Sequence, residues 1–118
     1  MLIVEDNQDA ADSLAVLLKL WGYLMAVAYS GEQALEAARA APPRVVLLDI
    51  GLPGIDACET ARRLREAAAA PPELVALTGF GQDDERRRCR AAGVAHYLVK
   101  PVDLAELRRL LTRLSAAV

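Results

Sequence analysis

No apolar run in this sequence approaches the ~18 residues that a membrane span needs, and no secretory signal pattern opens the chain. Cysteine is scarce: Cys58 and Cys89 stand alone, without CxxC spacing, and read as reduced cytosolic thiols rather than a disulfide framework. Neither sign of charge dominates, and a net charge of −2 gives no basis for binding nucleic acid directly. Linkers, repeats and low-complexity segments are lacking too, so nothing divides the chain. What these absences leave is one soluble domain, expected in the cytoplasm, with no direct contact to membrane or nucleic acid. Twelve arginines against two lysines, with abundant alanine, are the usage expected of a GC-rich bacterial source.

What is present is organised around Arg44 to Gly54, RVVLLDIGLPG. Val45 to Leu48 is apolar at every position, the pattern of a strand buried on both faces of a parallel sheet. It ends on Asp49 and then a loop of Gly51, Pro53 and Gly54 that cannot continue a strand. In open α/β sheets ligands sit at the carboxyl ends of the strands. Asp49 is therefore placed for chemistry.

The remaining elements follow from periodicity and punctuation. Leu2 to Val4 is a short strand ending on Glu5 and Asp6, so short that Met1 reads as a cut point within a longer protein. Gln8 to Leu20 is helical, with Ala10, Leu14, Leu17, Leu18 and Trp21 at helical spacing and Gly22 to stop it. Leu24 to Ala28 reads as a strand. Ser30 with Gln33 forms a capping box for the next helix, which Pro42 and Pro43 end. Asp56 with Glu59 opens a third helix, stopped before Pro71 and Pro72. Leu74 to Leu77 is a strand ending on Thr78 and Gly79. Gln82 to Ala92 is a highly charged helix closed by Gly93, Tyr97 to Val99 a strand ending on Lys100 and Pro101, and Asp103 with Glu106 caps the last helix. Five strands alternating with five helices over 1–118 predict a single doubly wound α/β domain with a parallel sheet.

This alternation delivers Glu5, Asp6, Asp49, Thr78 and Lys100 to one sheet edge. Three crowded carboxylates repel, by about 4 kcal/mol per pair at ~4 Å and an effective dielectric of ~20. A hard divalent cation relieves that, and Mg²⁺ suits a site offering one or two carboxylates and room for phosphoryl oxygens. Lys100 supplies a positive charge and Thr78 a hydroxyl donor. Beside them Asp49 can act as a carboxylate nucleophile and form an acyl phosphate.

The segments LIVEDN, VVLLDIGLPGIDACE, ALTGF and HYLVKPVD resemble the receiver domain of two-component response regulators over essentially the whole chain. The resemblance implies a flavodoxin-like fold with strand order 2-1-3-4-5. It implies that Asp49 is the phosphoacceptor, taking a phosphoryl group from a histidine kinase or phosphotransfer domain by self-catalysed transfer. Asp6 and Asp49 would bind Mg²⁺ directly, Glu5 through water, with the Gly51 carbonyl completing the protein ligands. Thr78 and Lys100 would hold the phosphoryl group, helped by the backbone N–H groups of Gly51 and Gly79. Tyr97 would be the switch aromatic that turns inward as Thr78 moves, and the peptide before Pro101 would be cis. A surface of the fourth helix, fifth strand and fifth helix, carrying Arg86, Arg87, Arg88 and Arg90 and then Arg108, Arg109 and Arg113, would be reshaped and would dock a partner or a second copy.

The chain also departs from the family pattern. Glu5 stands where many receivers have Asp, and Ala57 where Gly is frequent, tolerable if that position is helical. Cys89, three residues before Ala92, reads as a small buried filler rather than a redox sensor; Cys58 is open between packing and exposure. Two alternatives are weaker. A haloacid-dehalogenase-type phosphohydrolase needs an Asp two residues after the nucleophile, where this chain has Gly51. A degenerate receiver acting as a phosphorylation-independent binding module would lack an acid, the Thr or the Lys. Ending with its fifth helix, the chain is expected to leave no room for an output domain and to be a single-domain regulator, a cut from a larger regulator or the receiver of a hybrid sensor histidine kinase; TGFGQDDERRRCRAAG with HYLVKPVD looks most like receivers fused C-terminally to histidine kinases.

Overall fold

The computed structural model describes residues 1–50, 57–79 and 83–116. The strands are β1 (Leu2–Val4), β2 (Ala26–Ala28), β3 (Val45–Asp49), β4 (Glu73–Thr78) and β5 (His96–Val99). Between and after them run α1 (Gln8–Leu20), α2 (Gly31–Ala40), α3 (Ala57–Ala67), α4 (Asp83–Ala91) and α5 (Leu104–Ala116). All strand pairs are parallel, in the order β2-β1-β3-β4-β5, the architecture expected from the sequence.

The central strands are buried on both faces, and alternate residues feed two cores. Leu2, Val4, Val46, Leu48, Leu74 and Ala76 pack with Ala34, Ala57, Ala61 and Leu64 of α2 and α3. Ile3, Val45, Leu47, Val75 and Leu77 pack on the other face with Ala11, Ala15 and Leu18 of α1 and Leu107 and Leu111 of α5. With one side chain in each core at every second position, a shift of register would exchange the two cores. That pins the strand ends, and with them the edge where the polar groups emerge.

Local signals set the helix ends. Asn7 caps α1 by accepting from the Ala10 N–H (3.0 Å), and Ser30 caps α2 by accepting from that of Gln33 (3.1 Å). Gln33 reaches back to accept from the Tyr29 N–H (2.9 Å), and Asp103 accepts from the Glu106 N–H (3.1 Å) at the start of α5. Of the Asp56 and Glu59 box, Asp56 lies outside the described residues, and Glu59 pairs with Arg62 and Arg63. Ala57 is helical, as its replacement of the family's frequent Gly requires. Gly93 closes α4 with φ +108°, a conformation that disfavours a side chain.

Two expectations are corrected. β2 starts at Ala26 rather than Leu24: among the described residues it is an edge strand paired only to the three-residue β1, whose ladder does not extend to Leu24, which is 90% exposed. Cys58 and Cys89 are joined in a disulfide rather than held as separate thiols. They lie 31 residues apart in sequence, but α3 and α4 cover the same face of the sheet and bring the two Cα atoms to 4.5 Å. Spacing rules that read local CxxC pairs do not register such a neighbour. Among the described residues no helix is long and apolar enough to cross a membrane.

Candidate functional site

The carboxyl ends of β1, β3, β4 and β5 converge. Asp49, the last residue of β3, is 6% exposed, Glu5 just beyond β1 is 8% exposed, and Thr78 at the end of β4 is 1% exposed. Asp6 is exposed beside them. The registers of these strands are set by their pairing and by the two cores, which fixes where along the edge the polar groups emerge.

Lys100, immediately after β5, places Nζ 2.6 Å from Asp49 Oδ1 and 3.7 Å from Glu5 Oε2. Its backbone is held to β4, the Lys100 N–H donating to the Thr78 carbonyl at 2.6 Å, and its peptide bond to Pro101 is cis. Glu5 Oε1 accepts from the Asn7 N–H at 3.1 Å. Among the described residues the buried Thr78 hydroxyl oxygen has no hydrogen-bond partner, and Asp49 Oδ1, though ion-paired, has no hydrogen bond of good geometry. Buried polar atoms are normally satisfied, and exceptions concentrate at functional sites.

The electrostatics reflect the crowding. The Glu5 carboxyl is pushed up from 4.5 to about 7, chiefly by burial and then by a hydrogen bond and charge repulsion from Asp49. The Asn7 N–H and Lys100 offset only part of this. Partial burial opposes charge on Lys100, but Asp49 and Glu5 together outweigh it and hold its ammonium above the ordinary range. One carboxylate oxygen from each of Glu5, Asp6 and Asp49 lies within 4.8 Å of the others, a spacing that suits a single ion. A hard cation fits this set: the donors are all oxygen, and an added positive charge would let Glu5 ionise at neutral pH.

Glu5, Asp6, Asp49, Thr78 and Lys100 thus lie together where the sequence places them. Gly79 follows Thr78 directly at the same edge, and Gly51 lies outside the described residues. Tyr97 lies in β5 on the α4 face of the sheet. Its hydroxyl donates toward the carbonyls of Arg86 (3.0 Å) and Val94 (3.2 Å), and the guanidinium groups of Arg86 and Arg90 cover its ring at 5.2 and 5.7 Å. Sequence reasoning missed the Asn7 N–H as an anchor for Glu5. The motif LIVEDN contains both residues, but only the turn after β1 reveals the contact.

A family model described as the response regulator receiver domain matches residues 1–112. The virulence sensor protein BvgS of Bordetella pertussis is 39% identical over 100% of this chain and 10% of its own length. The chain therefore spans about a tenth of that relative. Among solved structures, the receiver domain of sensor histidine kinase PA1611 from Pseudomonas aeruginosa, with magnesium in its active-site cleft, is 32% identical with a TM-score of 0.84, covering 95% of this chain and 93% of that one. The receiver domain of Ssk1 from Saccharomyces cerevisiae, solved with the histidine phosphotransfer protein Ypd1, is 27% identical with a TM-score of 0.83, covering 94% and 84%.

Proposed function

The chain belongs to the response regulator receiver family of two-component signalling, and on that premise we propose that Asp49 accepts a phosphoryl group from a phosphohistidine. The observation that carries the proposal is the pairing of a buried Asp49 with Lys100 at 2.6 Å, at the sheet edge where the buried Thr78 also ends its strand. In the transfer an Asp49 carboxylate oxygen attacks phosphorus, the P–N bond to the donor imidazole breaks, and an aspartyl acyl phosphate remains. Asp49 needs no general base, because a carboxylate attacks without losing a proton. Lys100 swings its charge from the carboxylate onto the phosphoryl oxygens as they arrive. The Thr78 hydroxyl, which has no hydrogen-bond partner among the described residues, donates a hydrogen bond to one of them.

Glu5, Asp6 and Asp49 would hold Mg²⁺, with the Gly51 carbonyl as a further ligand from the family resemblance. Bound there, the ion would supply positive charge that offsets the carboxylates and the phosphoryl oxygens. The magnesium in the PA1611 receiver structure supports this assignment. A histidine kinase or a phosphotransfer domain is the partner that the Ssk1–Ypd1 complex and the BvgS likeness favour. Residues 1–118 act as one receiver domain, part of a hybrid sensor histidine kinase working in the cytoplasm. Phosphorylation draws Thr78 toward Asp49, Tyr97 follows inward, and the α4, β5 and α5 surface changes for its partner or a second copy.

Acetyl phosphate with Mg²⁺ should add one phosphoryl group by intact mass, and the gain should vanish with a chelator. Equal labelling with and without the chelator would overturn the metal assignment. The complete acid, Thr and Lys set speaks against a degenerate receiver, and Gly51 against a phosphohydrolase of the dehalogenase type.

A further inference from the structure

α4 is held to the domain in an unusual way. Its sequence, DDERRRCRA, has almost no apolar side chain, and among the described side chains of the helix only Cys89 is buried. An ordinary surface helix docks through an apolar stripe. Here the stripe is reduced to one residue, and that residue is bonded to Cys58 in the first turn of α3. The other attachments are polar or lie at the margins. Tyr97 reaches the Arg86 carbonyl from β5, and the Arg65 side chain lies against Gly93 so closely that a Cβ there would collide with it.

We propose that the Cys58–Cys89 bond is a thiol–disulfide switch that locks α4 against α3, so that a dithiol reductant frees α4. The part of this inference that concerns signalling rests on the reading of Asp49 as phosphoacceptor; the lock itself does not. Cys58 is 7% exposed and Cys89 fully buried, which directs attack to the Cys58 sulfur. A reductant thiolate bonds to Cys58 Sγ, the Cys58–Cys89 bond breaks, and Cys89 leaves as a thiolate that takes a proton. The second reductant thiol then displaces Cys58, which is protonated in turn. Two electrons pass to the cystine, and the reductant departs as its own disulfide. The Cys58 thiol so formed has an acceptor at hand, since its sulfur lies 3.3 Å from the Glu85 carbonyl of α4. Reduction thus replaces a covalent tie with a weak one and leaves the sheet untouched.

The consequence reaches the signalling face because Arg86 and Arg90 of α4 cover Tyr97. Tyr97 is also hydrogen-bonded to the Arg86 carbonyl, so movement of its side chain is coupled to movement of α4. In the disulfide form α4 resists, so the response to phosphorylation is muted at Tyr97 while Asp49 still accepts the phosphoryl group.

The test compares wild-type protein oxidised with a cyclic disulfide and reduced with dithiothreitol, without denaturant, with thiols counted by alkylation and mass. Amide exchange in residues 84–91 should run about tenfold or more faster in the reduced form, over and above the acceleration that lower global stability gives α1 and α5. Cys58→Ala and Cys89→Ala should each exchange at the reduced rate under both conditions. Two free thiols after oxidation, a bond that resists native reduction, or equal α4 exchange in both forms would each overturn the proposal, with no variant needed. Adding acetyl phosphate and Mg²⁺ separates the two readings. Both redox forms should gain one phosphoryl group, with the exchange change at residues 94–99 confined mainly to the reduced form. Failure of both forms to label would count against Asp49 while leaving the lock standing.

Discussion

Lys100 Nζ stands 2.6 Å from Asp49 Oδ1, so the charge that would receive a phosphoryl group is already neutralised by the group that would stabilise it. The pair poses the site between two uses of one ammonium. Lys100→Met should therefore have effects of opposite sign. Mg²⁺ should bind more tightly, because a positive charge has left the carboxylates. Phosphorylation by acetyl phosphate should slow by roughly 10²-fold, the scale for removing one donor to developing phosphoryl charge. Titration with Mg²⁺ and a labelling time course read the two separately; a fall in both would mean that the variant had simply disrupted the site.

Glu5 makes the metal-free protein sensitive to pH. Its pKa rises from 4.5 to about 7 on folding, by burial first and Asp49 second. The folded state then holds a proton that the unfolded state releases, so its stabilising effect is present below 4.5 and lost as pH rises through about 7. Over that window wild-type stability without metal should fall by about 1–3 kcal/mol, after allowance for relaxation of the site. Glu5→Gln should flatten the slope, and saturating Mg²⁺ should oppose it. Urea melts across the window check this; the same slope in wild type and Glu5→Gln would assign it to another group.

Tyr97→Phe removes a hydroxyl that reaches two backbone carbonyls, those of Arg86 and Val94. A loss of about 1 kcal/mol in stability is expected from urea melts. Labelling of Asp49 should be unchanged within about twofold, since no Tyr97 atom takes part in the proposed transfer. A large labelling defect would place Tyr97 in the transfer itself.

The disulfide should also register in global stability. It closes a separation of 31 residues, for which the chain-entropy model gives up to about 4 kcal/mol. Urea melts with and without reductant should differ by a sizeable part of that, and Cys58→Ala should melt like the reduced protein whether or not reductant is present. Coincident wild-type melts would show that the bond does not constrain the unfolded chain.

The architecture was legible because its determinants are local in sequence. Val45 to Leu48 announces a buried strand, and Ser30, Gln33 and Gly93 mark helix ends through groups a few residues apart. The site was legible for a related reason. In an alternating α/β chain every strand end meets the same edge, so the placement of Glu5, Asp49, Thr78 and Lys100 follows once the strands are found. What escaped depends on contacts between elements. Cys58 meets Cys89 because α3 and α4 are neighbours on one face, and no periodicity in either helix records that. The short β2 is likewise set by its partner, since β1 offers only three residues for pairing. The elevated pKa of Glu5 needs the buried depth of the site and the nearness of Asp49, which composition does not carry.

The claim that everything else depends on is that the phosphoryl group sits on Asp49. An acyl phosphate is reduced by borohydride to an alcohol, which an unmodified carboxylate is not, so the modified residue can be located by peptide mass. After treatment with acetyl phosphate and Mg²⁺, reduction should convert Asp49 alone, leaving Glu5 and Asp6 unchanged, and Asp49→Ala should show no converted residue. Conversion at Glu5 or Asp6, or labelling that persists in Asp49→Ala, would contradict the account.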